Sequence, residues 1–333
     1  MEKVSDYKGI QSVEGICDVF RFSGGSPLSD PPVPLFIELP HGATELTHLH
    51  GLKSRIRQYT DDRYDDFFMV NTDQGSPEYA FYLAGALTDP ALVDRLGDRL
   101  GATQRTRLRE IQRRLDIVVL RSLLPRTIVD VNRQWVIDES VRKAANLTGT
   151  TASFIDDEAD LTLLHELYDR YQQQARRGYA FACENEGFAF NLHTYAPISV
   201  SLVEGEYIVD TLHRAYQPAQ FATYAHRPAV ELITTPPDGS MLAPPRLVER
   251  VLAAYRSQDI EITCDDPYPL HPAAAGYHHC ERYPHRILSM EIRRDLLAES
   301  FEPFAIWPVS PTKLAHMTDP LVEGIAGFLS DTL

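Results

Sequence analysis

The chain has little cysteine: four residues in 333, Cys17, Cys183, Cys264 and Cys280, far apart and with no CxxC pair. That excludes a zinc knuckle and a dense disulfide framework, and it suits a reducing cytoplasm. Basic charge is also scarce. With 32 Lys and Arg against 47 Asp and Glu, the formal charge is −15 and the pI about 5.2. A surface that tracks phosphates would have to form against that field, so no nucleic-acid partner is expected. No stretch approaches the roughly 18 apolar residues of a membrane span. The segment Met1–Ile10 mixes Glu2, Lys3, Asp6 and Lys8 with few apolar residues. The expectation is a soluble, unprocessed protein with no membrane partner. Repeats and low-complexity tracts are missing too. The proline-rich patches Ser26–Pro34 and Thr234–Pro245 read as surface loops, and the expectation is one domain over residues 1–333, with insertions.

What is present is enough apolar content, 44%, to bury a large core. Short apolar runs end abruptly in polar residues. Pro34–Pro40 (PLFIELP) runs into His41-Gly42, and Asp66–Val70 (DFFMV) runs into Asn71–Gly75; both read as strands emptying into loops. Further strands are expected at Ile117–Leu120, Thr127–Val131, Phe188–Thr194, Ala229–Thr234, Ile260–Thr263 and Ile287–Ile292. Helices are expected over Pro77–Leu87, Leu92–Leu115, Leu161–Arg176, Pro245–Arg256 and Asp319–Leu329. This alternation predicts an α/β fold, a layered mixed sheet flanked by helices.

Ligands of open α/β sheets gather at the carboxyl ends of strands. Three polar residues stand at or beside such ends: His41, Asp73 and His193. Two imidazoles and a carboxylate, with a position left for water, make a catalytic zinc site. Glu45 is an alternative carboxylate, because His41–Glu45 is similar to the HxxE arrangement of zinc carboxypeptidases with one residue more. It also fits an acidic residue at a helix start.

In Arg126–Arg133 (RTIVDVNR) two arginines frame an apolar run, and guanidiniums of this kind grip carboxylates. Read as a strand, the segment places Asp130, Asn132 and Gln134 on one face and Val129, Val131 and Arg133 on the other. A structural network of Asp130 with the arginines is the competing reading. Glu291 lies within the apolar run Ile287–Ile292, where an ionised carboxylate is costly and a raised pKa suits a general base.

Taken in order, these segments resemble the N-formylglutamate amidohydrolase family. PHGATE at Pro40–Glu45 is similar to its first histidine loop, and TDQG at Thr72–Gly75 to its Asp-x-Gly segment. PRTIVDVNR at Pro125–Arg133 is similar to its Arg-x-x-x-Asp-x-Asn-Arg signature, and HTYAP at His193–Pro197 to its His-Ser-Phe-Thr-Pro segment. DDPYP at Asp265–Pro269 and PHRILSMEIRRDLL at Pro284–Leu297 complete the series. The resemblance implies a zinc-peptidase-like, phosphorylase/hydrolase-like fold, Zn2+ held by His41, Asp73 and His193, and catalysis by Glu291. It also implies substrate contacts from Arg126, Asn132, Arg133 or Arg293, and hydrolysis of the N-acyl (formyl) amide of an acidic amino acid such as N-formylglutamate. Arg126 or His285 is the expected oxyanion donor. His165 corresponds to a helical Tyr-His position of the family, or is an exposed helix residue. Two other readings are a metallocarboxypeptidase-like hydrolase of peptides or cell-wall fragments, with Glu45 as ligand, and a non-catalytic ligand-binding protein on the same fold.

Overall fold

The structure, a computed structural model, describes residues 1–25, 31–59, 62–136, 149–200 and 207–333; residues 26–30 of the first proline-rich patch lie outside that set. Among the described residues ten strands are formed: β1 (Glu2–Val4), β2 (Asp6–Tyr7), β3 (Ile10–Gln11), β4 (Cys17–Ser23), β5 (Val33–Leu39), β6 (Leu115–Ser122), β7 (Phe188–Tyr195), β8 (Val230–Ile233), β9 (Ile262–Cys264) and β10 (Ile287–Arg293). Eight of them make one sheet in the order β1-β4-β6-β5-β7-β10-β8-β9. The central four, β6-β5-β7-β10, run parallel, β4 is antiparallel to β6, and β8 is antiparallel to β10. The strands β5 and β7 are buried along their whole length, as befits parallel strands covered on both faces.

Five helices matter for the site: α1 (Arg63–Asn71), α2 (Ser76–Thr88), α3 (Glu158–Cys183), α4 (Pro245–Arg256) and α5 (Pro311–Thr332). On one face of the sheet, Leu35, Ile37, Ile117, Phe190, Leu288 and Met290 pack against apolar residues of α2, α4 and α5. On the other, Phe36, Val118, Leu120 and Ala189 meet α3. The approach of α3 is close: a Cβ at Gly178 would stand 2.1 Å from Phe36 Cε2, so only glycine fits there.

The α3 face is not uniformly apolar. Side chains alternate along a strand, so the cross-strand register aligns them in rows. Glu38, Asn191 and Ser289 form one row, and His193, Glu291 and Glu231 the next, nearer the carboxyl ends of β7 and β10. This polar band across a buried sheet locates the chemistry.

Two expected strands are not strands. Asp66–Val70 lies inside helix α1. Asp65 and Asp66 occupy its first turn, where the helix dipole favours them, and a five-residue apolar run cannot by itself distinguish strand from helix. Thr127–Val131 forms consecutive turns: the amides of Ile128 and Val129 both donate to the Pro125 carbonyl, and only Val129 makes a β-bridge, to Thr151. The strand alternation expected for Asp130 to Gln134 is therefore lost. The Leu92–Leu115 helix is interrupted, with Leu92–Leu96 and Ala102–Arg114 separated by a 3-10 turn at Gly97–Arg99, and Leu115 begins β6. Among the described residues no helix is long and apolar enough to cross a membrane.

Candidate metal centre

His41 sits two residues past the end of β5, His193 within β7, and Asp73 on the short loop between α1 and α2. All three are buried, each about 3% exposed or less. Three tethers place the Asp73 loop. The Thr72 hydroxyl donates to the Ala43 carbonyl at 2.8 Å, and the Thr194 hydroxyl donates to the Gln74 carbonyl at 2.9 Å. The buried Arg294 guanidinium donates to the carbonyls of Val70 and Thr72. Gly75 then turns the chain into α2 with φ +85°, a conformation that strains any residue with a Cβ.

The donor atoms converge. His41 Nδ1 lies 3.2 Å from Asp73 Oδ2, His193 Nδ1 lies 3.0 Å from the same oxygen, and the two Nδ1 atoms are 3.1 Å apart. The far side of each ring fixes its tautomer. His41 Nε2 faces Asp130 Oδ1 at 2.8 Å and His193 Nε2 faces Asn191 Oδ1 at 2.5 Å; both oxygens only accept, so each Nε2 carries the proton. Each neutral ring then turns a bare lone pair toward Asp73. Three lone-pair atoms in mutual contact repel one another unless a cation joins them. The vertices of a tetrahedron of ligands about 2.0–2.1 Å from zinc are roughly 3.3 Å apart, close to the spacing seen. The residues fit the metal.

The electrostatics agree. Burial would raise the pKa of Asp73, but His41, His193 and Arg126 hold it well below the usual carboxylate range. Burial also opposes ionisation of Asp130, and His41, Arg133 and Arg126 outweigh it. For His41, burial and Arg126 lower the pKa while Asp130 and Asp73 raise it further, so without a cation the cluster attracts a proton. A metal ion held there would compete with that proton.

Around the cluster the expected residues separate into groups. Arg126 bridges Asp73 (3.2 Å) and Asp130 (3.3 Å), and its buried Nε has no hydrogen-bond partner among the described residues. Arg133 spends one amino group on the Asn132 carbonyl, and its buried Nε is likewise without a hydrogen-bond partner among the described residues. Asn132 accepts from the Gly276 amide and places its Nδ2 3.4 Å from His193 Nε2, so it touches the histidine. Arg293 is committed elsewhere: Nε pairs with Asp295 at 2.9 Å and an amino group donates to the Arg227 carbonyl. Glu291 stands directly across from His193, with Oε2 buried and unpartnered among the described residues. Burial pushes its pKa up to about 8; Asp73 and Glu231 add to the rise, and His193 and Arg126 oppose it.

Other expected residues lie apart. Glu45 has a side chain 55% exposed and pairs with Arg121 at 3.0 Å, just before the helix Leu46–Lys53. His285 precedes β10 and so lies toward the opposite end of that strand from Glu291, contacting the Ala243 carbonyl. His165 is half-exposed on α3, stacked on Trp135 at 4.3 Å. The four cysteines are free.

Sequence reasoning assigned no site role to five residues. Asp130, read as a member of an ion-pair network, is the partner of His41. Arg294 clamps the Asp73 loop from a segment 222 residues away, which nothing local signals. Glu231 stands directly across from Glu291 on β8, is fully buried, and accepts from the Tyr268 amide at 2.6 Å while its Oε2 is unpartnered among the described residues. Glu38 and Asn191 lie behind His193. All but Arg294 carry the signal that singled out Glu291, an acid or amide inside an apolar run.

No family model matches the chain, and no curated protein matches it. Among solved structures it is similar to an N-formylglutamate amidohydrolase from Ralstonia eutropha JMP134, at 15% identity over 95% of this chain and 99% of that one, TM-score 0.46. It is similar also to a gene product of Agrobacterium tumefaciens, at 15% identity over 94% and 92% of the two chains, TM-score 0.45. A metallo-carboxypeptidase from Burkholderia cenocepacia gives 11% identity over 95% of this chain and 61% of that one, TM-score 0.40.

Proposed function

We propose that the chain is a zinc-dependent amidohydrolase that cleaves the N-acyl bond of a small acidic amino acid, with N-formylglutamate as the representative substrate. The observation that carries this reading is the convergence of three lone-pair donors beside a buried, unpartnered Glu291 oxygen. His41, Asp73 and His193 would hold the ion. Bound there, zinc supplies Lewis acidity, polarising a carbonyl and making water nucleophilic at neutral pH.

The remaining roles fall to side chains of the site. Glu291 takes a proton from the attacking water and returns it to the leaving nitrogen, a task suited to a carboxyl whose pKa is near neutrality. Arg126 Nε is the donor free to meet a developing oxyanion, and it stands beside the two acids that fix its orientation. Arg133 Nε, 4.0 Å from Asp130 Oδ2 and without a hydrogen bond among the described residues, would take a substrate carboxylate. Formate and the free amino acid leave. A preference for acidic substrates follows from two partly buried guanidiniums whose Nε atoms make no hydrogen bond among the described residues, in a chain of charge −15.

Metal analysis of the purified protein, followed by a formate-release assay on N-formylglutamate and on an uncharged N-formyl amino acid, tests the reading. The expected result is about one zinc per chain and turnover favouring the acidic substrate. A protein that binds zinc without turning over any acylamino acid would be a ligand-binding relative; equal turnover of both substrates would remove the role given to the arginines.

A further inference from the structure

The two imidazoles are held from behind in different ways. His41 meets a carboxylate directly, Asp130 at 2.8 Å, and a carboxylate can do nothing but accept. His193 meets an amide, Asn191, at 2.5 Å, and an amide has a donating end and an accepting end. Which end faces the ring decides where the ring keeps its proton.

A second amide competes for the same nitrogen. Asn132 Nδ2 lies 3.4 Å from His193 Nε2, and Asn132 cannot reverse without losing the bond its Oδ1 accepts from the Gly276 amide. If Asn191 presented its Nδ2 to the ring, both amides would donate to Nε2. The proton would then move to Nδ1, into the space between His41 and Asp73.

Glu38 prevents the reversal. Its side chain is 3% exposed and lies in the row behind His193, where it accepts from the Tyr171 hydroxyl at 3.0 Å, the Tyr179 hydroxyl at 2.6 Å and Asn191 Nδ2 at 2.7 Å. Burial works against ionisation of Glu38 and its three donors favour it; as the carboxylate it only accepts, so Asn191 satisfies it with the amino end, which leaves the amide oxygen for His193. We propose that Glu38 is a positioning residue: through the Asn191 amide it fixes His193 as the Nε2–H tautomer and keeps the Nδ1 lone pair available at the metal centre. This inference rests on the ligand reading of His193 only where metal affinity is concerned; the tautomer is a property of the metal-free protein.

The test exchanges the two groups. In E38Q the new side-chain amide can donate to Asn191, so the Asn191 amide is free to reverse. Nitrogen-15 NMR of the histidine-labelled, metal-free protein should show His193 moving from Nε2–H toward Nδ1–H, and zinc affinity by chelator competition should fall about 10- to 100-fold. The double variant E38Q/N191D puts the amide at position 38 and the carboxylate at position 191. That carboxylate accepts from both neighbours, so the Nε2–H tautomer and most of the affinity should return. A purely structural Glu38 would lower stability without moving the tautomer, and the exchange would restore nothing. E38Q with wild-type tautomer and affinity overturns the proposal. Should E38Q not fold, the exchanged pair decides: folded with Nε2–H it upholds the proposal, and unfolded or folded with Nδ1–H it overturns it. A wild-type protein with no zinc affinity would instead sink the metal reading and leave the tautomer result standing.

Discussion

Carboxylates along the carboxyl ends of the central strands are driven in opposite directions. At the β5 and β7 end, Asp73 and Asp130 are surrounded by His41, His193, Arg126 and Arg133 and stay ionised far below their usual range. At the β10 and β8 end, Glu291 and Glu231 face each other across an antiparallel pair, each with an oxygen unpartnered among the described residues, and burial pushes both up to about 8. One end is held ionised; the other is held protonated up to about pH 8. Acid groups whose surroundings push their pKa values apart mark a division of labour.

Removing the charged end should have the largest effect. D73A leaves two imidazoles and no carboxylate, and H193A leaves one imidazole and a carboxylate; both should lose stoichiometric zinc by elemental analysis, and with it all turnover. E45A should keep its metal, because Glu45 pairs with Arg121 at the surface. If E45A loses metal and D73A keeps it, Glu45 rather than Asp73 is the carboxylate ligand.

Next comes the proton end. E291Q is nearly isosteric and cannot take a proton at neutral pH, so kcat should fall about 10²- to 10⁴-fold with zinc content and KM little changed. The thermal midpoint should not fall with it, since Glu291 Oε2 has no hydrogen bond to lose among the described residues. A large drop in melting temperature with kcat intact would make Glu291 a strand-stabilising residue.

A smaller effect is expected where substrate is gripped. R133A should raise KM about 10- to 100-fold for an N-formyl acidic amino acid, the range of one charge-assisted hydrogen bond of about 1.5–3 kcal/mol, and much less for an uncharged one. R293A should do neither, since Arg293 is occupied by Asp295 and the Arg227 carbonyl. The reverse result would transfer the substrate contact to Arg293.

Much of the frame is legible in the chain. The strands β5, β7 and β10 and the helix α4 announce themselves by predominantly apolar runs and by the 3.6-residue period. His41, Asp73 and His193 stand out in the sequence as residues that follow strands, and the structure brings them together, although Asp73 follows a helix. Its place depends on Arg294 and Thr72 gripping carbonyls, contacts between backbone and distant side chains that leave no local pattern. The segment Arg126–Arg133 misleads for a related reason: its apolar residues suit a strand, but the Asp130 carboxylate caps a turn, accepting from the Asn132 amide at 2.9 Å. Glu38, Asn191 and Glu231 are within reach of the sequence. Each is a polar residue in an apolar run, and the reasoning that singles out Glu291 draws the whole polar band once it is applied to them.

The last and smallest expected effect concerns Glu231, and it separates burial from chemistry at the proton end. Its pKa rises from 4.5 to about 8, chiefly through burial. The folded state therefore keeps a proton that the unfolded chain gives up from about pH 4.5 upward, and the associated stability, full below that pH, is lost as pH rises through about 8. E231Q cannot ionise, so it escapes this loss. Its melting temperature relative to wild type should grow from pH 5 to pH 8 and level off above, by a few degrees for a chain of this size. Its amide can still accept from the Tyr268 backbone while offering a donor toward Glu291 across the strand pair. With a neighbour that turns negative as pH approaches 8 replaced by a permanently neutral donor, the pKa of Glu291 should fall slightly, moving the acid limb of the kcat profile a little to lower pH. A thermal midpoint difference that stays flat from pH 5 to pH 8 would mean that Glu231 is ionised throughout, and that its charge adds to the burial of Glu291 over that whole range.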